Sequence, residues 1–245
     1  MKLALVGYGK MGKMIHSLIK GEEVVAIIDC FKQDNVTANV LSLENLNGAD
    51  VIIDFSSPVT ILDNIKFYTS NNLKAVIGTT GWLENLDKVA AWVNNSNSSI
   101  LYSGNFSIGV ALTLKLTEVA AAALSKLDEY DVSVHEIHHN QKADSPSGTA
   151  LMLANALLDN SDRYTGIQMD DKKKEDDKIS LSAQRVGSVI GTHIMTFDSP
   201  CDSITITHQA KDRTGFASGA IKASAWLNTK QNKLYTMDDF ISELV

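Results

Sequence analysis

Leu3-Ala4-Leu5-Val6-Gly7-Tyr8-Gly9-Lys10-Met11-Gly12 is a short apolar run, then a G-x-G-x-x-G turn, and Met11, Ile15, Leu18 and Ile19 follow at helical spacing. This is the pattern of a strand joined to a helix through glycines. The glycine pattern alone is weak, but a strand before it and a helix after it make it the context of a dinucleotide-binding turn. A second apolar run, 24–29, ends in Asp29, close to the usual spacing of about 20 residues for the acid that meets an adenosine ribose. Glycines let the backbone approach a pyrophosphate held at the helix N-terminus, where free N–H groups and the helix dipole favour negative charge. A carboxylate at Asp29 can accept hydrogen bonds from ribose hydroxyls. The competing reading is a glycine turn that packs strand on helix and binds nothing.

Further β-branched runs at 51–55, 75–77 and 100–102 alternate with helical patterns, as in a parallel sheet built from βαβ units. Each ends in a polar or glycine-containing turn: Ser56-Ser57-Pro58, Gly78-Thr79-Thr80-Gly81 and Ser103-Gly104-Asn105. In an open parallel sheet, ligands bind beyond the carboxyl ends of the strands, so these turns are expected to meet at one site. Small hydroxylated residues at strand ends also cap helices, and spacing alone leaves both roles open for these turns.

After Asn105 the pattern changes. A helix is expected over 108–127, an alternating strand over 130–137, a polar loop over 140–147 and a helix over 149–158. Residues 170–177 carry eight charges in a row, too many to bury, and read as a surface loop. Strands are expected over 179–186, 189–197 and 203–208, then a helix over 216–227, and a last helix whose N-cap is Thr236. The fold class is therefore α/β: a Rossmann-type parallel-sheet domain plus an α+β domain with a mixed or antiparallel sheet. The first takes residues 1–105 and 213–245, and the second takes 106–212. With hinges near 103–106 and 211–214, this division is expected to set cofactor and substrate on opposite sides of a cleft.

Composition narrows the function. A net charge of −7 opposes broad affinity for nucleic acid or anionic membrane, which is built on clustered Lys and Arg. Cys30 and Cys201 lie far apart with no CxxC spacing, so neither a disulfide framework nor a thiolate zinc site is expected. A reducing cytoplasm fits. The N-terminal apolar run ends at once in the glycine turn, so no signal peptide is expected. No apolar stretch approaches the roughly 20 residues that span a bilayer.

The richest segment is Glu136-Ile137-His138-His139-Asn140-Gln141-Lys142-Ala143-Asp144-Ser145-Pro146-Ser147-Gly148-Thr149-Ala150. A metal site is the first possibility to test, because His135, His138 and His139 are close. In an extended strand adjacent side chains point to opposite faces, and no helical period or cysteine accompanies the histidines, so no metal is expected. The plain alternative is a strand running into a solvated loop. Ser147-Gly148-Thr149 opens a helix whose N–H groups can receive a carboxylate, and Lys142 adds charge for a dicarboxylate. Histidine suits proton transfer because its unperturbed pKa lies near working pH.

The pattern E-x-H-H-x-x-K-x-D-x-P-S-G-T-A resembles the signature of the dihydrodipicolinate reductases. The resemblance extends to Gly78-Thr79-Thr80-Gly81, to Gly104-Asn105-Phe106-Ser107, and to His208, Arg213, Phe216-Ala217, Gly219-Ala220 and Trp226-Leu227. The chain departs in a short glycine loop and in having little between Asp29 and Asp54. The resemblance implies an NAD(P)H-dependent reduction of 4-hydroxy-tetrahydrodipicolinate, with loss of water, in lysine and diaminopimelate biosynthesis. It implies that His138 protonates the substrate and that Lys142 is a second proton donor and electrostatic partner. His139, Ser147, Gly148 and Thr149 would hold a small dicarboxylate. The cofactor would meet Gly7, Tyr8, Gly9, Lys10, Met11, Gly12 and Asp29, with Gly78, Thr79, Thr80, Ser103, Gly104, Asn105 and Phe106 placing the nicotinamide. A homotetramer assembled through the second domain's sheet is also implied.

Asp29 would repel a 2′-phosphate, and Cys30 and Phe31 after it offer no guanidinium, so NADH is expected to serve at least as well as NADPH. Lys10, Lys13 and Lys32 work the other way. Two rival functions remain. A nucleotide-sensing regulator would need a basic recognition helix, which is missing. A semialdehyde dehydrogenase would need a nucleophilic thiol near the nicotinamide, where neither cysteine is expected.

Overall fold

A computed structural model describes residues 1–169 and 173–244. Along the chain run β1 (Lys2–Val6), α1 (Lys10–Leu18), β2 (Glu23–Ile28), β3 (Val51–Asp54), α2 (Ile61–Ser70), β4 (Lys74–Ile77), α3 (Leu86–Asn94) and β5 (Ser99–Tyr102). Then come α4 (Ile108–Leu124), β6 (Asp131–His138), α5 (Gly148–Asp159), β7 (Gly166–Met169), β8 (Lys178–Arg185), β9 (Gly191–Asp198) and β10 (Ser203–Ala210). The chain closes with α6 (Thr214–Asn228), β11 (Leu234–Thr236) and α7 (Met237–Ser242). The elements fall into two compact units: residues 1–108 with the segment from 214 onward, and residues 109–213.

In the first unit six strands form one sheet in the order β11-β5-β4-β3-β1-β2, parallel throughout. The order reverses direction between β1 and β3, which is the switch point where a doubly wound sheet opens its crevice. All four residues of β3 are buried, the unbroken apolar signature of a parallel strand covered on both faces. Along β1, Ala4 and Val6 enter a core shared with Ile61, Ile65 and Tyr68 of α2 and Val89 and Val93 of α3. Leu3 and Leu5, also buried, alternate to the other face. The C-terminal α6 packs on α1, β3 and β4, which explains why the chain returns to this unit.

In the second unit the order is β10-β9-β6-β8-β7. β6, β8 and β7 run parallel, and β9 and β10 are antiparallel. The sheet is thus mixed. Its core joins Val132 and Val134 of β6 to Leu153, Ala154 and Leu157 of α5, with Met195 and Phe197 of β9.

The expected elements are present with shifted ends. The helix expected to reach residue 127 stops at Leu124, and β9 begins at Gly191 rather than at 189. Residues before β9 form a turn in which Gly187 has a φ of +52°. Thr236 caps α7 as expected, in a full capping box with Asp239. β7 and β11, of four and three residues, carry too little alternation to stand out in the sequence. Of the expected charged loop, residues 170–172 lie outside the described residues, and 173–177 run as a loop between β7 and β8. Among the described residues no helix is long and apolar enough to cross a membrane.

Candidate active site

In the first unit the glycines of the opening turn separate into distinct roles. Gly7 has a φ of +87°, and a Cβ there would lie 2.3 Å from the Phe55 carbonyl oxygen. A Cβ on Gly12 would lie 2.2 Å from the Gly7 carbonyl oxygen, so this glycine permits α1 to pack on the turn. A Cβ on Gly9 would meet nothing within 4 Å. Gly9 precedes α1, and no side chain caps it there. An exposed glycine before an uncapped helix N-terminus is the backbone that a pyrophosphate needs.

Asp29 sits just past β2 and ties this turn together: its Oδ2 accepts the Tyr8 amide at 2.6 Å and its Oδ1 accepts the Phe31 amide at 2.8 Å. Of the other residues expected to meet cofactor, several turn inward. The Tyr8 ring is buried, with its hydroxyl 2.6 Å from His16 Nδ1. Thr79 is buried and donates to Asp54 Oδ1 at 3.4 Å. The Phe106 ring is buried 5.8 Å from that of Phe55, and Gly78 lies close beneath Phe55, where a Cβ would come within 2.1 Å of the ring. Ser103 donates to the Asn105 carbonyl at 2.7 Å and accepts its amide at 3.0 Å. Gly9, Lys10, Thr80 and Gly104 are exposed, and Met11 is half-buried.

Behind these turns lies Asp54, fully buried, a residue the sequence reading left without a role. It accepts the Ser56 amide at 2.9 Å, Asn64 Nδ2 at 3.0 Å and the Tyr68 hydroxyl at 2.7 Å. Burial pushes its carboxyl up from the ordinary value, and those hydrogen bonds oppose the push.

In the second unit β6 alternates strictly, so Val132, Val134, Glu136 and His138 share the buried face. His135 faces the other way, its Nδ1 2.6 Å from Ser182 Oγ, and does not join its neighbours. Register supplies the rest of the site. Arg185 of β8 stands beside His138, His193 of β9 stands beside Glu136, and His208 of β10 stands beside His193. Glu136 Oε1 accepts the Ser147 amide at 3.1 Å and Arg185 Nη2 at 2.9 Å. Its Oε2 is 3.3 Å from His138 Nδ1 and 3.7 Å from His193 Nε2. Arg185 and His193 had no local signal, since strand register alone brings them in.

Ser147 begins α5 as expected. Its side chain accepts the Ala150 amide at 3.1 Å and lies 3.3 Å from His193 Nε2. Both its amide and its hydroxyl are therefore committed inside the protein. Gly148 is exposed, with open space where a Cβ would sit, and Thr149 is half-buried. Lys142 holds both oxygens of Asp144, at 2.8 and 2.9 Å. Its amide donates to the carbonyl of half-buried His139 at 3.1 Å.

The electrostatics follow from this crowding. Burial lowers the His138 pKa, Glu136 raises it, and Lys142 and Arg185 lower it further. Burial, aided by His138, pushes His193 down to about 4, so it is neutral near pH 7. Burial opposes ionisation of Glu136, but Ser147, Arg185 and His138 together hold its carboxyl below the ordinary value. Donor atoms of Glu136, His138 and His193 lie within 4.8 Å of one another, near enough to ligate a cation. Any such cation would share Glu136 with the Arg185 guanidinium.

Two family profiles match the chain: "Dihydrodipicolinate reductase, N-terminus" over residues 1–106 and "Dihydrodipicolinate reductase, C-terminus" over 109–241. A 4-hydroxy-tetrahydrodipicolinate reductase from Christiangramia forsetii is 39% identical over 100% of this chain and 99% of its own. One from Clostridium novyi is 38% identical over 95% of this chain and 94% of its own. Among solved structures, a dipicolinate-bound dihydrodipicolinate reductase from Paenisporosarcina sp. TG-14 superposes with a TM-score of 0.80 at 26% identity, over 96% and 97% of the two chains. The diaminopimelate dehydrogenase of C. glutamicum, at TM-score 0.55 and 14% identity over 97% and 93% of the chains, shares the fold alone. From end to end, in sequence and in fold, the chain belongs to the dihydrodipicolinate reductase family.

Proposed function

We propose that His138 is the acid that protonates the substrate in this family's reaction and that Lys142 is a second donor and electrostatic partner. The reaction is the NAD(P)H-dependent reduction of 4-hydroxy-tetrahydrodipicolinate to tetrahydrodipicolinate with loss of water, in the diaminopimelate route to lysine. The observation that carries the reading is one buried carboxylate. Glu136 holds the Ser147 amide at the start of α5 with one oxygen and faces His138 with the other. A proton donor and an anion-favouring helix N-terminus are thereby fixed to one another.

In this reading the second unit holds the dicarboxylate through Gly148 and Thr149 on the first turn of α5, with His139 beside them. Ser147 is the cap that shapes this turn rather than a direct contact. Lys142 must exchange Asp144 for a substrate carboxylate, a swap between two anionic partners of one cation. The first unit holds the cofactor: Gly7, Gly9 and Gly12 with the N-terminus of α1 at the pyrophosphate, and Asp29 at the ribose. Tyr8, Thr79 and Phe106 shape the surrounding turns through their packing, while Lys10, Met11, Gly78, Thr80, Ser103, Gly104 and Asn105 border the ligand. When bound, the nicotinamide supplies the hydride. NADH is the preferred form or at least the equal one, because Asp29 disfavours a 2′-phosphate.

A homotetramer built through the mixed sheet fits this reading, with β10 at the sheet's open edge and half-exposed Ile204 on it. Light scattering of the purified chain tests the assembly: a mass of one subunit overturns it. The substrate site is tested with Thr149→Val. Its KM for substrate should rise while its NADH affinity stays unchanged. Unaltered substrate KM with weakened NADH binding would reassign this turn to the cofactor.

A further inference from the structure

Glu136 touches neither substrate nor cofactor in the reading above, yet it is a fully buried charge on the strand that carries His138. Its Oε2 and His138 Nδ1 are both buried without a hydrogen-bond partner among the described residues, and they face each other at 3.3 Å. Each is the complement the other lacks: an acceptor carrying negative charge and a ring nitrogen able to donate. Their separation lies within hydrogen-bond reach, and leaving both unsatisfied is costly in a buried site. On the far side of the carboxylate, Arg185 and the Ser147 amide fix Oε1. At the other ring nitrogen, a Cβ on Gly191 would come within 3.0 Å of His138 Nε2, so the glycine leaves that atom uncrowded.

We propose that Glu136 is the positioning residue behind His138: its carboxylate accepts a hydrogen bond from Nδ1–H, leaves Nε2 as the atom that hands a proton to substrate, and tethers the imidazole to the first turn of α5. This rests on the assignment of His138 as proton donor. In the step itself the imidazolium Nε2–H bond breaks, its electron pair staying on Nε2, and a C–H bond forms as the proton goes to the substrate carbon made electron-rich by hydride addition. His138 is left neutral with its Nδ1 proton in place, and Glu136 stays anionic throughout. Solvent returns the proton to Nε2 afterwards. The second partner of a histidine commonly selects its tautomer in this way.

The charged and titratable groups around His138 allow a test with opposite signs. Glu136 comes from its own strand, Lys142 and Asp144 from the following loop, Arg185 from β8 and His193 from β9, while α5 contributes the capped Ser147 end. Glu136 favours the imidazolium, and Arg185 disfavours it. Glu136→Gln keeps the shape and removes the negative charge, so the imidazolium should form only at lower pH. Arg185→Gln removes a like charge, so it should persist to higher pH. An opposite charge within about 4–6 Å moves a pKa by about 1–3 units.

The experiment measures kcat/KM for substrate against pH at saturating NADH, together with an NMR titration of labelled histidine in the full chain. The His138 signal is assigned by its loss in His138→Gln. The alkaline limb and the His138 titration should both move down by about one unit or more in Glu136→Gln, and both should move up in Arg185→Gln. An unmoved His138 titration in a folded Glu136→Gln overturns the proposal, as does any shift of the same sign in both variants. If Glu136→Gln does not fold, Arg185→Gln decides alone, and a downward or absent shift overturns it. Should His138→Gln retain turnover, the proton-donor assignment fails, while the NMR titration still reports whether Glu136 governs the imidazole.

Discussion

Replacing Gly9 and Gly12 separately by alanine distinguishes a ligand-binding glycine from a packing one. At Gly12 the new methyl would fall 2.2 Å from the Gly7 carbonyl oxygen, against backbone that cannot swing away, so α1 must shift from the turn. Overpacking of this kind costs about 1–3 kcal/mol. For a chain of this length that corresponds to a fall in Tm of roughly 2–12 °C. At Gly9 the methyl meets nothing within 4 Å. The backbone there, φ −73° and ψ −159°, is one that alanine adopts freely, so the melting temperature should hold. If the pyrophosphate sits at the N-terminus of α1 as proposed, the methyl crowds its approach to the backbone there. A loss of at least about tenfold in NADH affinity follows, which is about 1.4 kcal/mol. Thermal melts and calorimetric NADH titrations of both variants give the answer. Gly9→Ala with wild-type NADH affinity would refute this placing of the pyrophosphate, and a Gly12→Ala as stable as wild type would refute the packing argument.

Asp29→Asn should move the NADH-to-NADPH ratio of catalytic efficiencies toward NADPH by about tenfold or less, and an unmoved ratio would place the choice with Lys10, Lys13 or Lys32. Stability should fall as pH drops from about 6.5 toward 4, because His193, held down to about 4 in the fold, stays neutral while the unfolded chain takes up its proton. The full effect of that one group is about 3 kcal/mol, so urea unfolding at pH 7 and pH 4.5 should show a smaller drop in His193→Asn than in wild type. Asp144→Asn should lower the KM for substrate, because Lys142 no longer has a carboxylate to leave; a raised KM would mean that the pair orients Lys142 productively.

The sequence revealed those features whose cause is local. The strand, glycine turn and helix at residues 3–19 are readable because period-2 and period-3.6 patterns meet at glycines, and Asp29 lies at the distance that one helix and one strand impose. The Thr236 cap is readable because its partner Asp239 is three residues away. Likewise Glu136, His138 and the Ser147 helix start all lie in one stretch. Arg185 and His193 were invisible for the converse reason. They stand 49 and 57 residues beyond Glu136 and meet it only through the register of three strands, which no local pattern encodes. The inward turn of Tyr8, Thr79 and Phe106 was equally hidden, since a motif fixes which residue occupies a turn but not which way its side chain packs. Asp54 belongs with them: a buried acid at a strand end reads as another polar turn residue until its four donors are in view.

Whether substrate is reduced through His138 is measured by following NADH absorbance with substrate generated in place by the upstream synthase, corrected by a no-protein control. Wild type should oxidise NADH only when substrate is present. His138→Gln should bind NADH normally but turn over about 10²–10⁴-fold more slowly, the usual loss for one positioned acid. Near-wild-type turnover by His138→Gln, or NADH bound but never oxidised by the wild-type chain with substrate present, would contradict it.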